Sequence, residues 1–293
     1  MLARVLIAKP ASTLAERALV VTADDFGADL AVNVAVEIAH REGVLTAASL
    51  MVTGAAVQDA VERARRLPDL RVGLHLALVD ARPCLPPGEV PHLVGPDGAF
   101  RDNMAAAGAT MFFHPAARRE LAAEITAQFE AFAATGLTLD HVNAHKHFHL
   151  HPTIAGLILK IGKRHDLRAL RVPLEPTAPL NDVEPGTATG PDLTAPFAKG
   201  LRALARRAGL AVPDQVFGLR WSGAMTTPRL AGLMRAAPAG LTEIYLHPAT
   251  KDNFAGSAVG YRYRDELAAL ISTEARAAAS GIRLGGFLDF ATS

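Results

Sequence analysis

Five of the eleven histidines fall in DHVNAHKHFHLHP, residues 140–152. In an extended chain His141, His145, His147, His149 and His151 share one parity, and alternate strand residues share a face. The expected arrangement is a row of imidazoles. A packed core does not favour such a row, because each buried ring needs hydrogen-bond partners. A site that binds metal or moves protons does. Geometry limits how many rings can serve one ion. Same-face neighbours are about 6.6 Å apart along a strand, whereas ligand atoms lie about 2.0–2.2 Å from a zinc-like ion. Two rings can converge where the backbone turns. A whole row cannot, so the remaining ligands must come from elsewhere in the chain.

Other segments offer the right types. RALVVTADDFG reads as a buried strand from Ala18 to Val21 that ends in Asp24 and Asp25. A turn at Phe26-Gly27 would bring both carboxylates into one mouth. The simpler reading of either Asp is a helix N-cap, but two in succession weaken it. His75 lies in VGLHLAL, where a lone histidine is more often a satisfied core residue. His247 ends EIYLHP, with Pro248 stopping the ladder. Together with the histidine segment, four strand regions deliver Asp or His at or near their C-terminal ends, which coincidence explains poorly. In parallel α/β barrels that end carries the catalytic groups. One carboxylate plus two histidines leaves coordination positions open for water and substrate.

The order of elements around these residues is β-α-β-α-β at the start of the chain, which predicts parallel strands with helical crossovers. Helices are expected over 31–43, 55–68, 114–136, 153–165, 197–209 and 263–280. Strands are expected over 44–52, 70–78, 167–173, 240–248 and 282–290. Segments 81–113, 174–196 and 212–227 read as long loops roofing the barrel mouth. No internal repeat or domain boundary is evident, so residues 1–293 are read as one domain.

Thirty basic residues against 29 acidic ones leave a formal charge of +1, which gives no electrostatic case for nucleic acid as a partner. The single cysteine, Cys84, excludes an internal disulfide and a cysteine-based zinc site. No stretch approaches the roughly 20 apolar residues that span a bilayer. The N-terminus lacks a signal-peptide core, so a cytoplasmic protein is expected. The arginines of 197–209 are most simply a solvated face, with transient membrane-surface contact left open.

TADDFG, VLTAASLMV, VGLHLAL, DHVNAHKHFHLHP, LRVP, EIYLHP and RLGGFLDF, in that order, resemble the YdjC/ChbG family of carbohydrate deacetylases along nearly the whole chain. NAHKHFHLHP, RVPLEP and WSGAMT are similar more particularly to its hopanoid-biosynthesis-associated (HpnK) branch. Most of the wider family reads Asp-Ser-His-His-His where this chain has Asn143, Ala144, His145, Lys146 and His147. The resemblance implies an irregular (βα) barrel of the glycoside hydrolase/deacetylase type. It implies one divalent ion, of magnesium or zinc type, held by Asp25, His75 and His145. It also implies Asp24 as general base, His247 as general acid, and Arg171 orienting Asp24 or touching substrate.

The leading expectation is therefore metal-dependent N-deacetylation of a sugar amide. In the more particular branch the substrate would be an N-acetylglucosaminyl hopanoid; soluble chitooligosaccharides are the alternative. A metallo-phosphoesterase would need two metals and so more ligands. A non-catalytic sugar- or lipid-binding protein would tolerate loss of Asp24. His149 and Trp221 are expected to contact substrate, the latter because it is the only tryptophan and an indole face suits a sugar or polycyclic ring. Phe100, Met111, Phe112, Phe113, Phe217 and Met225 are read mostly as packing for the loops. A homodimer is expected.

Overall fold

The computed structural model describes residues 17–187 and 192–291. The N-terminal expectation falls on residues 1–16 and part of the 174–196 loop on 188–191, outside the described residues. β1 (Arg17–Phe26), α1 (Leu30–Glu42), β2 (Ala47–Leu50), α2 (Val57–Arg65) and β3 (Arg71–Leu76) open the fold. α3 (Met104–Phe113), α4 (Pro115–Ala134), β4 (Val142–Ala144), α5 (Pro152–Gly162), α6 (Thr177–Val183) and α7 (Ala195–Arg207) follow. β5 (Gln215–Phe217), α8 (Thr227–Ala236), β6 (Gly240–Leu246), α9 (Tyr263–Ile271), α10 (Thr273–Ala278) and β7 (Arg283–Leu284) complete it.

The sheet order is β4-β3-β2-β1-β6-β5, with β7 pairing β1, and every ladder is parallel. The sheet curls into a half-barrel of the βα type. Between its edges runs the segment 168–174, joined to β4 by a bridge at Val142–Leu170 and to β5 by the Val216 N–H donating to the Leu174 carbonyl. The expected strand over 167–173 is thus reduced to isolated bridges.

Alternation sorts the strands. Val21 and Ala23 of β1 are fully buried apolar residues, whereas Thr22 and Asp24, one position over, carry the barrel's polar interior. β3 contributes Gly73 and His75, β4 contributes Asn143, and β6 contributes Glu243 and Tyr245. His75 stands in register with Asn143, and Thr22 with Tyr245. Gly73 has a steric reason: a Cβ there would lie 2.5 Å from Cε1 of His141.

α1 shows how a helix is fixed against this sheet. Asp29 caps it, its carboxylate accepting the Ala31 N–H at 2.7 Å. Val32, Ala35, Val36 and Ala39 bury one face at helical spacing. Burying each valine is worth roughly 1.5–3 kcal/mol, and Val36→Asp would put a charge at a fully buried position. The cap is Asp29, not Asp24 or Asp25.

The long loops hold more structure than their composition suggested. α3 lies in 81–113, α6 in 174–196 and β5 in 212–227, and α8 follows the last. The expected 263–280 helix is two, broken at Ser272, which caps α10. The expected 282–290 strand shrinks to two residues; the segment after it is instead held by Asp140, whose carboxylate accepts the N–H groups of Phe287 and Leu288.

A candidate metal centre and its catalytic cleft

The histidine segment does not stay extended. β4 ends at Ala144, and a 3-10 turn over His145–Leu150 carries left-handed Lys146 (φ 52) and His147 (φ 54). The imidazole row is therefore dispersed, because the turn re-aims each ring. His141 is structural: fully buried, bonded to Asp140 and Ser49, and stacked on Phe287. His145 enters the cleft. The Nε2 of His147 is 2.9 Å from the Tyr245 hydroxyl. His149 is fully buried with Nε2 against the Arg171 carbonyl, behind the cleft wall. His151 packs near Phe112 and Phe148.

Asp25 makes the centre possible. β1 bulges between Ala23 and Phe26, with Asp25 at φ 61. The bulge breaks strict alternation, so Asp24 and Asp25 both line one cleft. Asp25 Oδ1 lies 3.2 Å from His75 Nε2 and 3.1 Å from His145 Nδ1. One ligand atom from each of these three residues lies within 4.8 Å of the other two.

The hydrogen bonds test whether a cation fits. Asn143 Nδ2 donates to Asp24 and to Ser49, so its Oδ1 accepts from His75 Nδ1 at 2.6 Å. In the neutral ring that leaves the Nε2 lone pair facing a carboxylate oxygen. Either a proton on the ring or a cation between the two atoms relieves the repulsion. Orientation of one ring nitrogen by a neighbouring acceptor is what metal-ligating histidines require. Burial opposes charge on His75, but Asp24 and Asp25 outweigh it and raise its pKa. The same reciprocity holds Asp25 well below the usual carboxylate range, His145 and His75 prevailing over burial. Donor types, spacing and ring orientation all fit one divalent ion.

Beneath the centre lies a buried charge network. Arg171 is fully buried, its guanidinium donating to Asp24 Oδ2 at 2.5 Å and Oδ1 at 3.0 Å, and to Glu243 Oε1 at 2.6 Å. Thr22 also donates to Glu243, and the guanidinium lies 4.4 Å from the Tyr245 ring centroid. Burial would raise the Asp24 pKa, but Arg171 holds it far below the usual value. Arg171 thus orients Asp24 and does not reach the cleft.

His247 lines the cleft from the end of β6. Its backbone N–H donates to Glu266, whose carboxylate also accepts the Met225 N–H at 2.9 Å. Its Nδ1 is buried with no hydrogen-bond partner among the described residues, 3.9 Å from the Glu266 carboxylate. Burial lowers the His247 pKa, with Asp25 and Asp24 partly offsetting it. Burial also pushes Glu266 up to about 7.

The cleft has a volume of about 410 Å³. A larger, more open groove of about 1140 Å³ runs along residues 80–103 and touches the cleft only at Asp80. The larger space holds none of the candidate catalytic groups, so the smaller one is the candidate site. Four of the five left-handed non-glycine residues among the described residues line it: Asp25, Asp80, Lys146 and His147. Such residues cost on the order of 1–3 kcal/mol each and cluster at functional sites.

Sequence reasoning missed much of the wall. Ser222 lies in an expected roof loop and Tyr263 at the start of an expected helix, but Tyr261 and residues 256–258 come from a segment that carried no signal. Lys146 donates to Asp80 at 2.6 Å across the rim. Phe100, Met111, Phe217 and Met225 are buried packing, as expected. Trp221 is buried too, 4% exposed, and does not line the cleft.

The fold and site define a class: a parallel α/β half-barrel bearing an Asp-His-His centre, with a buried carboxylate beside it and a histidine opposite. Residues 18–280 match the family described as YdjC-like protein, and the chain belongs to that family. A carbohydrate deacetylase of Brevibacillus brevis is 38% identical over 150 residues, 50% of this chain and 56% of that protein. One of Geobacillus stearothermophilus is 35% identical over 161 residues, 55% and 60% of the two chains. The matches span little more than half the length of these relatives. A crystal structure from Enterococcus faecalis V583, of a protein named for cellobiose-phosphate cleavage, superposes with a TM-score of 0.75. It is 26% identical and covers 94% of this chain and 100% of its own.

Proposed function

We propose that the protein is a metal-dependent carbohydrate N-deacetylase. The observation that carries the reading is the convergence of Asp25, His75 and His145 beside Asp24, with His247 across the same cleft. Asp25, His75 and His145 would hold one divalent ion, which supplies Lewis acidity toward an acyl oxygen and acidifies water. Asp24 is charged and fixed by Arg171 and Asn143, so it orients the attacking water and receives its proton. His247 delivers a proton to the leaving amine. The carbohydrate deacetylases of Brevibacillus brevis and Geobacillus stearothermophilus support the reaction class.

The test is acetate release from N-acetylglucosaminyl compounds by metal-loaded protein. Asp24→Asn keeps the shape, removes the proton acceptor, and should lower turnover by about 10²- to 10⁴-fold while metal stays bound. Wild-type turnover in that variant would end Asp24's role as base.

The finer reading is a glycolipid substrate, N-acetylglucosaminyl hopanoid. It rests on the HpnK-like wording of residues 143–152, 171–176 and 221–226. Large apolar side chains are also left exposed on α3 and α7: Phe112 (48%), Phe113 (78%) and Phe197 (54%). Among the described residues no helix is long and apolar enough to cross a membrane, so contact with lipid would be at its surface. Faster deacetylation of the hopanoid than of N,N′-diacetylchitobiose is expected; equal rates would remove the lipid assignment and leave the deacetylase. One domain and a homodimer complete the reading, checked by limited proteolysis and light scattering.

A further inference from the structure

Four large aromatic side chains stand at or beside the cleft, and three are closed to a ligand. Tyr245 and Tyr263 are 3% and 4% exposed. Trp221 is as buried, and its indole is already covered by the Arg229 guanidinium, 4.9 Å from the ring centroid. Tyr261 alone is partly open and lines the cleft.

The Tyr261 ring is held in place from several directions. Its hydroxyl lies 2.7 Å from Ser222 Oγ. Gly223 sits against the ring: a Cβ there would come 2.2 Å from Cγ, and the φ of +72 is one that glycine adopts freely. The Arg262 N–H donates to the Gly223 carbonyl at 2.7 Å, fixing the chain beside the ring. Tyr263 packs at 5.5 Å and His247 at 5.3 Å between centroids. A ring immobilised before binding loses little conformational entropy when a ligand covers it.

A pyranose presents C–H groups on its faces and hydroxyls around its rim. Aromatic rings suit the first, and a few placed polar groups suit the second. The cleft has both, with Ser222 beside the ring and the Lys146–Asp80 pair also in its wall. We propose that Tyr261, seated on Gly223, is the platform on which the pyranose ring of an N-acetylhexosamine stacks. The inference rests on the deacetylase reading and adds the contact that fixes the sugar. Because the platform packs against His247, it sets the sugar's position relative to the proton donor.

N,N′-diacetylchitobiose is the probe, titrated into metal-loaded protein and followed by proton NMR and by acetate release. Stacking shifts the pyranose C–H resonances of the bound sugar upfield in the wild type. Tyr261→Phe keeps the ring and stays within about threefold of wild-type KM, whereas Tyr261→Leu keeps bulk without the ring and raises KM about tenfold. Trp221→Phe leaves KM unchanged. Sugar that binds without upfield shifts, or a Tyr261→Leu variant with wild-type KM, overturns the platform while leaving the deacetylase standing. Upfield shifts with no acetate released either from this disaccharide or from an N-acetylglucosaminyl glycolipid overturn the deacetylase and leave a sugar platform.

Discussion

Replacing Arg171 with methionine tests the buried charge network most directly. The guanidinium is the shared partner of Asp24 and Glu243, and it is fully buried while Asp24 is 2% and Glu243 0% exposed. Methionine fills similar space but leaves two carboxylates without a countercharge. Removing one partner of a buried pair costs about 3–5 kcal/mol. With two carboxylates stranded the upper end is expected, a large share of the roughly 5–15 kcal/mol that stabilises a typical domain. The pH dependence has a definite sign. In the wild type the Asp24 pKa is depressed, so its contribution is present above the ordinary value of 3.8 and is lost as pH falls below it. In the variant burial acts unopposed by Arg171 and raises the Asp24 pKa, so stability is recovered on acidification. The deficit between the proteins should therefore be largest near pH 7 and shrink toward pH 4. Urea unfolding at several pH values measures it as a change in midpoint at constant slope. Adding Glu243→Gln to the variant should restore part of the loss, because one stranded charge is gone. A deficit below about 1 kcal/mol at pH 7, the range of exposed ion pairs, would refute the reasoning, as would one that grows toward acid.

Three further outcomes follow from the site. His75→Ala should abolish stoichiometric metal binding and turnover together, and full metal content by elemental analysis would remove His75 from the ligand set. Asn143→Ala frees the His75 ring and leaves Asp24 one donor fewer, so metal affinity measured by competition with a chelator should fall about 10- to 100-fold. Activity should decline with rising pH as His247 loses its proton, with the basic limb below the ordinary histidine value of 6.5 because burial lowers its pKa; a basic limb above that value would contradict the assignment.

The apolar runs of β1, β3 and β6 and the helical spacing of α1 and α4 were legible in the sequence, because such patterns are a local property. So were the residue types of the centre, since Asp24, Asp25, His75, His145 and His247 stand at strand ends where a parallel sheet gathers its chemistry. Helices α3 and α8 were not legible. α3 is apolar on most sides, with Gly108 inside it, and gives no clear period. The dispersal of the histidine row was also hidden, because left-handed Lys146 and His147 persist only where surrounding packing over-determines them.

What the sequence determined by itself is that parallel strands alternate with helical crossovers and which side chains could hold a cation or move a proton. What only the tertiary structure decided is which of them meet. The bulge at Asp25, Asn143 orienting His75, Arg171 spanning from Asp24 to Glu243, and Tyr261 rather than Trp221 at the cleft all depend on contacts between segments far apart in the chain. Such contacts leave no period in the sequence. They are set by the curl of the sheet and by the requirement that each buried charge find its partner.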